Sequence, residues 1–280
     1  MNYCMHGGGE INNHMMTNSF DAYDLWRSQG LCQFEFDIVE TIDGNYIASH
    51  DFSVIGFKNL GIKDIPSLDE CTEQWFIKQR LFIDEDGIGL RTMNLEDVLK
   101  LTLQPQIDYV MVDAKTFSYQ SCTKLLKKIS NIIEKNNING KKIIFETYNI
   151  DMMEATKQFN NMLLWQYCYD DDMHQGNSQL TRDMGLSCID ILQDHNISII
   201  SYPWKQAVEN LMVLKRLKDE KFVIYSRTRN NIFSDLLLIA GVDVNIVDHI
   251  VTRDQYLQLE SYRSDYIAKY ENVIKDVFKG

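Results

Sequence analysis

The chain has 280 residues, 45% hydrophobic and 24% charged, a length and balance that suit one large α/β domain and exclude fibrous or disordered classes. Its 28 basic and 40 acidic side chains leave a formal net charge of -12. That field excludes a nucleic-acid partner and strong adsorption to anionic membranes, because either would meet repulsion.

The first strand spans Tyr3 to His6 and runs into HGGG, where backbone free of side chains can approach an oxyanion closely. Asn18 and Ser19 cap a helix from Ser19 to Ser28. The next strand, Leu31 to Val39, is apolar on both faces except for Glu35 and Asp37. Strand side chains alternate, so these two acids share one face and repel each other unless a positive charge lies between them. Asp43-Gly44 marks a hairpin that brings His50 and Asp51 back toward the strand ends.

Residues 52–94 fit no strand-helix unit and read as an insertion over one end of the fold, with Phe57, Leu60, Trp75 and Phe76 available to form an apolar surface. Beyond it, helices over Leu95 to Leu103, Gln120 to Lys135, Asp151 to Phe159, Arg182 to His195, Lys205 to Leu217 and Asn231 to Ala240 alternate with strands. Those strands are Tyr109 to Lys115, Lys142 to Thr147, Leu163 to Cys168, Ile197 to Tyr202, Phe222 to Ser226 and Val244 to Val247. The acidic run at Asp170 reads as a solvated loop, and Thr252 to Gly280 as a charged, partly helical cap. Eight strands separated by helices predict a (β/α)8 TIM barrel forming one domain over residues 1–280.

In such a barrel functional side chains gather at the carboxyl ends of the strands. His6, Glu35, Asp37, His50, Asp113 and Lys115 therefore converge on one mouth, contributed by three neighbouring strands. Three carboxylates form a hard oxygen set for one divalent cation, Mg²⁺ or Ca²⁺. Two histidines can exchange protons near neutral pH, and a lysine can neutralise an anion, so a small-molecule phosphodiester is the expected substrate. Glu146, Gln166 and Trp204 lie near predicted strand ends and can line the same pocket, while His14, His174, His195 and His249 have no partner pattern.

The six cysteines are scattered without a C-x-x-C pair and read as buried thiols of a reducing compartment. The opening residues MNYCMHGGG show no basic and then apolar leader, and no apolar run is long enough for a membrane span. A cytoplasmic protein without integral membrane association is expected.

Taken together, HGGG at His6, TNS at Thr17, EFD at Glu35, TIDG at Thr41, HD at His50 and DAK at Asp113 resemble the glycerophosphodiester phosphodiesterase family in order and approximate spacing. The resemblance covers residues 3–116, with weaker likeness in KFVIYSRT and AGVDVNIVD. It implies catalytic His6 and His50, metal ligands Glu35, Asp37 and Asp113, phosphate-binding Lys115, and Tyr225 as the aromatic that the family places near substrate. It also implies hydrolysis to an alcohol and glycerol 3-phosphate. Three departures stand out: Gly7 replaces the family's phosphate-binding arginine, Thr17 a glutamate, and Asp113 the more common glutamate. The last departure, with the missing arginine, is similar to the sphingomyelinase D branch of the same barrel. Action on lysolipids, trimming of a glycerol-phosphate polymer and a barrel that only binds phosphorylated ligands are the alternatives.

Overall fold

A computed structural model describes residues 2–159, 162–168, 189–203 and 211–251. Its strands, in chain order, are β1 (Asn2–Met5), β2 (Gln33–Glu40), β3 (Tyr46–Ala48), β4 (Arg80–Leu81), β5 (Leu90–Arg91), β6 (Tyr109–Ala114), β7 (Ile143–Thr147), β8 (Leu164–Cys168), β9 (Ile199–Pro203), β10 (Val223–Asn230) and β11 (Val244–His249). Eight of them, β1, β2 and β6 to β11, pair in parallel in chain order, and Met5 opposite Phe34 joins β1 to β2 and closes the barrel. This is the predicted (β/α)8 fold. The acidic run at Asp170, Trp204, His174 and the tail lie outside the described residues.

Alternation along the strands separates two layers. Phe34, Phe36, Ile38, Val110, Val112 and Phe145 face outward and pack with the surrounding helices in the largest apolar cluster. Residues of the opposite parity face the barrel axis, where Cys4, Met111, Ile144, Ile199, Tyr225, Val244 and Ile246 form a smaller cluster below the mouth. Polar residues on the inward face therefore come toward the carboxyl ends, above that apolar floor.

The helices follow from the same patterning. In the helix Tyr119–Asn136, Cys122, Leu125, Leu126, Ile129 and Ile132 recur at helical spacing and are buried. Ser118 Oγ accepts from Ser121 N at its start, and Asn137, at φ 52°, ends it in the left-handed region. The short helix Phe20–Ser28 is capped by Ser19, whose hydroxyl accepts from Ala22 N. Ser19 is thus the cap, and Asn18 is free for another task.

The hairpin after β2 forms as expected: β3 runs antiparallel to β2, with Ile38 opposite Ala48 and Glu40 opposite Tyr46. Gly44 has φ 73°, and Asp43 accepts hydrogen bonds from Thr41 and Asn45 around the turn. Within the insertion, the helices Val54–Asn59 and Glu73–Phe76 and the β4–β5 pair enclose their own apolar cluster of Phe57, Ile62, Cys71, Phe76, Leu81 and Leu90, packed on Val39 and Ile47. Phe57 and Phe76 are wholly buried in it, so they stabilise the insertion, each by about 1.5–3 kcal/mol of burial, and offer no apolar surface to a substrate.

Candidate active site

Glu35 and Asp37 point into the barrel because their neighbours Phe34, Phe36 and Ile38 take the outward face, and both acids are fully buried. The β2–β6 register sets Asp37 opposite Asp113, which brings the third acid beside the first two. One ligand oxygen from each of the three residues lies within 4.8 Å of the others. Lys115 Nζ stands 2.8 Å from Asp37 Oδ1 and 2.6 Å from Asp113 Oδ2.

Three buried carboxylates thus face one ammonium. Burial first, and the Asp37 charge second, push Glu35 up to about 8. Burial would raise Asp37 too, but Lys115 and the two histidines hold it well below the usual carboxylate range. Burial alone would lower Lys115, yet Asp113 and Asp37 keep it firmly charged. Glu35 Oε1 and Asp113 Oδ1 have no hydrogen-bond partner, and orphaned buried acceptors of this kind are costly. An all-oxygen donor set with unmatched negative charge fits a hard divalent cation.

His6 follows β1 directly and is nearly buried. Its Nδ1 donates to Asp248 Oδ1 at 2.7 Å, which leaves Nε2 directed at Glu35 Oε2, 3.9 Å away. Burial lowers the His6 pKa, but the Glu35 charge and the Asp248 hydrogen bond outweigh it and raise the value overall. Asp248 is the penultimate residue of β11 and was not anticipated; its signal was an acid directly after the predicted closing strand.

Gly7 does not face a substrate through a side chain. Its N–H donates to Glu35 Oε2 at 2.7 Å and so orients a candidate ligand. With φ 54°, and with Met16 Cα 2.6 Å from where a Cβ would stand, the position accepts no side chain. Asn18, at φ 51°, closes the same region: its Nδ2 donates to Asp37 Oδ2 and its Oδ1 accepts from Asp37 N, each at 2.9 Å. Thr17 is buried, its hydroxyl bonding that of Ser19. The helix-cap motif therefore supplies a clamp for Asp37.

Ser49 N donates to Asp37 O at 3.0 Å and fixes the return of the hairpin, which brings His50 within electrostatic reach of Asp37. The His50 side chain is 47% exposed, with Nδ1 3.2 Å from Asp51 Oδ2. It opens on a cavity of about 410 Å³ lined also by Met15, Met16, Leu60 and Phe82. Leu60 is the one residue of the expected apolar group that reaches it.

Two other expectations change. Tyr225 lies in the apolar floor of the barrel, its hydroxyl donating to Gln33 Oε1 at 3.3 Å, because two strand residues still separate it from the mouth. Glu146 is fully buried, accepting from Gln166 Nε2 at 2.5 Å and Tyr148 Oη at 2.9 Å; burial foremost, with Asp113 next, raises it to about 7. Arg227, two residues beyond Tyr225 on the same face, is the unforeseen neighbour: its Nη2 stands 3.8 Å from Glu146 Oε1. The predicted strand ended at Ser226, whereas β10 continues to Asn230. His195 and His249 pair with Glu154 and Glu10, and His14 stacks on Phe82, so none of these three joins the acids.

No protein-family model and no curated protein matches the sequence. Solved structures do. A glycerophosphodiester phosphodiesterase from Thermotoga maritima aligns over 89% of this chain and 95% of its own, at 17% identity and TM-score 0.64. A glycerophosphodiester phosphodiesterase from Agrobacterium tumefaciens aligns over 89% and 97%, at 15% identity and TM-score 0.62. A phosphodiesterase from Oleispira antarctica, solved with its product sn-glycerol 3-phosphate, aligns over 95% and 97%, at 12% identity and TM-score 0.61. The chain shares the barrel of these proteins across nearly its whole length. Among the described residues no helix is long and apolar enough to cross a membrane.

Proposed function

We propose that this chain is a phosphoric diester hydrolase that cleaves a glycerophosphodiester to an alcohol and glycerol 3-phosphate. The observation that carries the reading is the buried triad of Glu35, Asp37 and Asp113 beside a histidine held in one orientation by Asp248. A barrel that only binds an anion has no use for an oriented imidazole. The likeness to glycerophosphodiester phosphodiesterases, one of them solved with glycerol 3-phosphate, supports the same reaction.

Glu35, Asp37 and Asp113 would hold one divalent cation, Mg²⁺ or Ca²⁺, which supplies positive charge to the phosphoryl oxygens in a dry site. Lys115, anchored on two of those acids, adds a second positive charge beside the same oxygens. One of His6 and His50 takes the proton from the attacking hydroxyl as its oxygen bonds to phosphorus; the other protonates the alcohol oxygen as its bond to phosphorus breaks. Asp248 keeps His6 Nε2 turned toward the acids throughout. Free, buried thiols at Cys4, Cys71, Cys122 and Cys168 support placement in a reducing, cytoplasmic setting.

A second reading concerns the substrate. Met15, Met16, Leu60 and Phe82 give the cavity next to His50 an apolar wall, which favours a lysolipid cleaved in the phospholipase D or sphingomyelinase D manner, the head group leaving as the alcohol and the phosphate staying on the acyl-bearing part. Phosphorus NMR of products from glycerophosphocholine, glycerophosphoethanolamine, a lysophospholipid and a glycerol-phosphate polymer tests both. Glycerol 3-phosphate from the small diesters supports the first reading. A lysolipid turned over in their place supports the second, and a cyclic phosphate product identifies a substrate hydroxyl as nucleophile.

A further inference from the structure

Arg227 is a half-buried cation without full use. Its Nη2 is shielded from solvent and makes no hydrogen bond. Its counter-charge, Glu146, stands 3.8 Å off, beyond hydrogen-bond range, and both Glu146 oxygens are already engaged by Gln166 and Tyr148. That approach to Glu146 carries the guanidinium from β10 across the barrel to β7, the strand paired with β6, and its charge is felt at Glu35, His6 and Asp113. Beside it Cys168, Ser201, Tyr202 and Pro203 enclose about 90 Å³.

The opposite wall explains why such a group is needed. Position 7 stands where a phosphate-binding arginine would be expected, and the backbone there admits no Cβ. Lys115, tied at 2.8 Å and 2.6 Å to two acids, brings a single ammonium to the phosphoryl group and shares its charge with those acids. A planar guanidinium with free donors matches two oxygens of a phosphoryl group better than an ammonium does.

We propose that Arg227 binds the nonbridging oxygens of the substrate's phosphoryl group, supplying from β10 the charge that position 7 cannot carry. The inference rests on the phosphodiester reading above for its substrate, but its anion chemistry can be tested separately. Binding of inorganic phosphate and of glycerol 3-phosphate is measured by calorimetry, with Mg²⁺ present, for wild type, Arg227→Lys, Arg227→Met and the pair Arg227→Met with Glu146→Gln. The pair removes both charges together and guards against a fold weakened by an unpaired Glu146.

Phosphate affinity is expected to fall about tenfold or more in both methionine variants and less in Arg227→Lys, with Mg²⁺ affinity retained. In turnover the loss appears largely in KM, with a smaller fall in kcat. Wild-type phosphate affinity in the methionine pair variant, or no phosphate binding by wild type, overturns the inference. Turnover of glycerophosphocholine with KM unchanged in Arg227→Met rejects Arg227 and leaves the proposed reaction standing. Arg227-dependent phosphate binding without turnover of any diester does the reverse.

Discussion

Asp248 Oδ1 lies 2.7 Å from His6 Nδ1, joining the last strand of the barrel to the first catalytic candidate across 242 residues. This contact fixes which ring nitrogen faces the acid cluster, because the proton on Nδ1 is committed to the carboxylate. Asp248→Ala frees the ring and is expected to lower kcat about 100-fold, whereas Asp248→Asn retains an acceptor and costs about tenfold. KM changes little in either. Steady-state kinetics of both variants, with circular dichroism as a folding control, checks this; equal activity in all three proteins contradicts it.

The acid triad predicts stabilisation by cation. Mg²⁺ or Ca²⁺ at 100 times its dissociation constant contributes about 2.7 kcal/mol, and each kcal/mol moves the melting midpoint of a chain this size by roughly 2–4 °C. Glu35→Gln removes one ligand and abolishes that shift. The same variant without cation melts above metal-free wild type once the pH exceeds about 8, where Glu35 is charged, because a neutral amide relieves the repulsion among Glu35, Asp37 and Asp113; at lower pH, where Glu35 keeps its proton, the two melt alike. Calorimetric scans of both proteins with EDTA and with each cation measure it.

Gly7 cannot be repaired toward the family pattern. A Cβ there meets Met16 Cα at 2.6 Å on a backbone with φ 54°. Gly7→Ala is expected to cost about 2 kcal/mol or more of stability, and Gly7→Arg at least as much, with no gain in phosphate affinity. Urea unfolding and phosphate titration of the two variants decide the matter. Tolerance of arginine with tighter phosphate binding contradicts the local geometry.

Glu146 carries a pH signature. Its carboxyl titrates at about 7 in the fold against 4.5 for an ordinary glutamate, chiefly because burial penalises the charge. The folded state keeps a proton that the unfolded chain loses, so the stabilising contribution is full below 4.5 and is lost as the pH rises to about 7. A loss of a few kcal/mol across that window is expected, and Glu146→Gln removes it. Unfolding free energies of both proteins from pH 4.5 to 8 provide the comparison, with the Glu35 contribution cancelling in the difference.

The strand-helix alternation and the paired acids were legible because they depend on local periodicity: β2 must hide Phe34, Phe36 and Ile38 on one face, so Glu35 and Asp37 take the other. His50 was legible through the Asp43-Gly44 turn. Asp248 and Arg227 were not, because their roles arise from barrel closure and from strand length, which bring β11 to His6 and β10 to Glu146. Asn18 was read as a cap beside Ser19; only the left-handed backbone at φ 51° shows it turned onto Asp37. Tyr225 sits in the apolar floor one strand repeat below Arg227, and the extra length of β10 past Ser226 was what hid Arg227 from the sequence reading.

The most direct test is release of glycerol 3-phosphate from glycerophosphocholine by purified protein, with EDTA, Mg²⁺ and Ca²⁺ in parallel, beside His6→Ala and Glu35→Ala. Release is expected that EDTA suppresses, that one of the two cations restores, and that both substitutions abolish while the fold is kept. Release that persists undiminished in EDTA or in Glu35→Ala would contradict it.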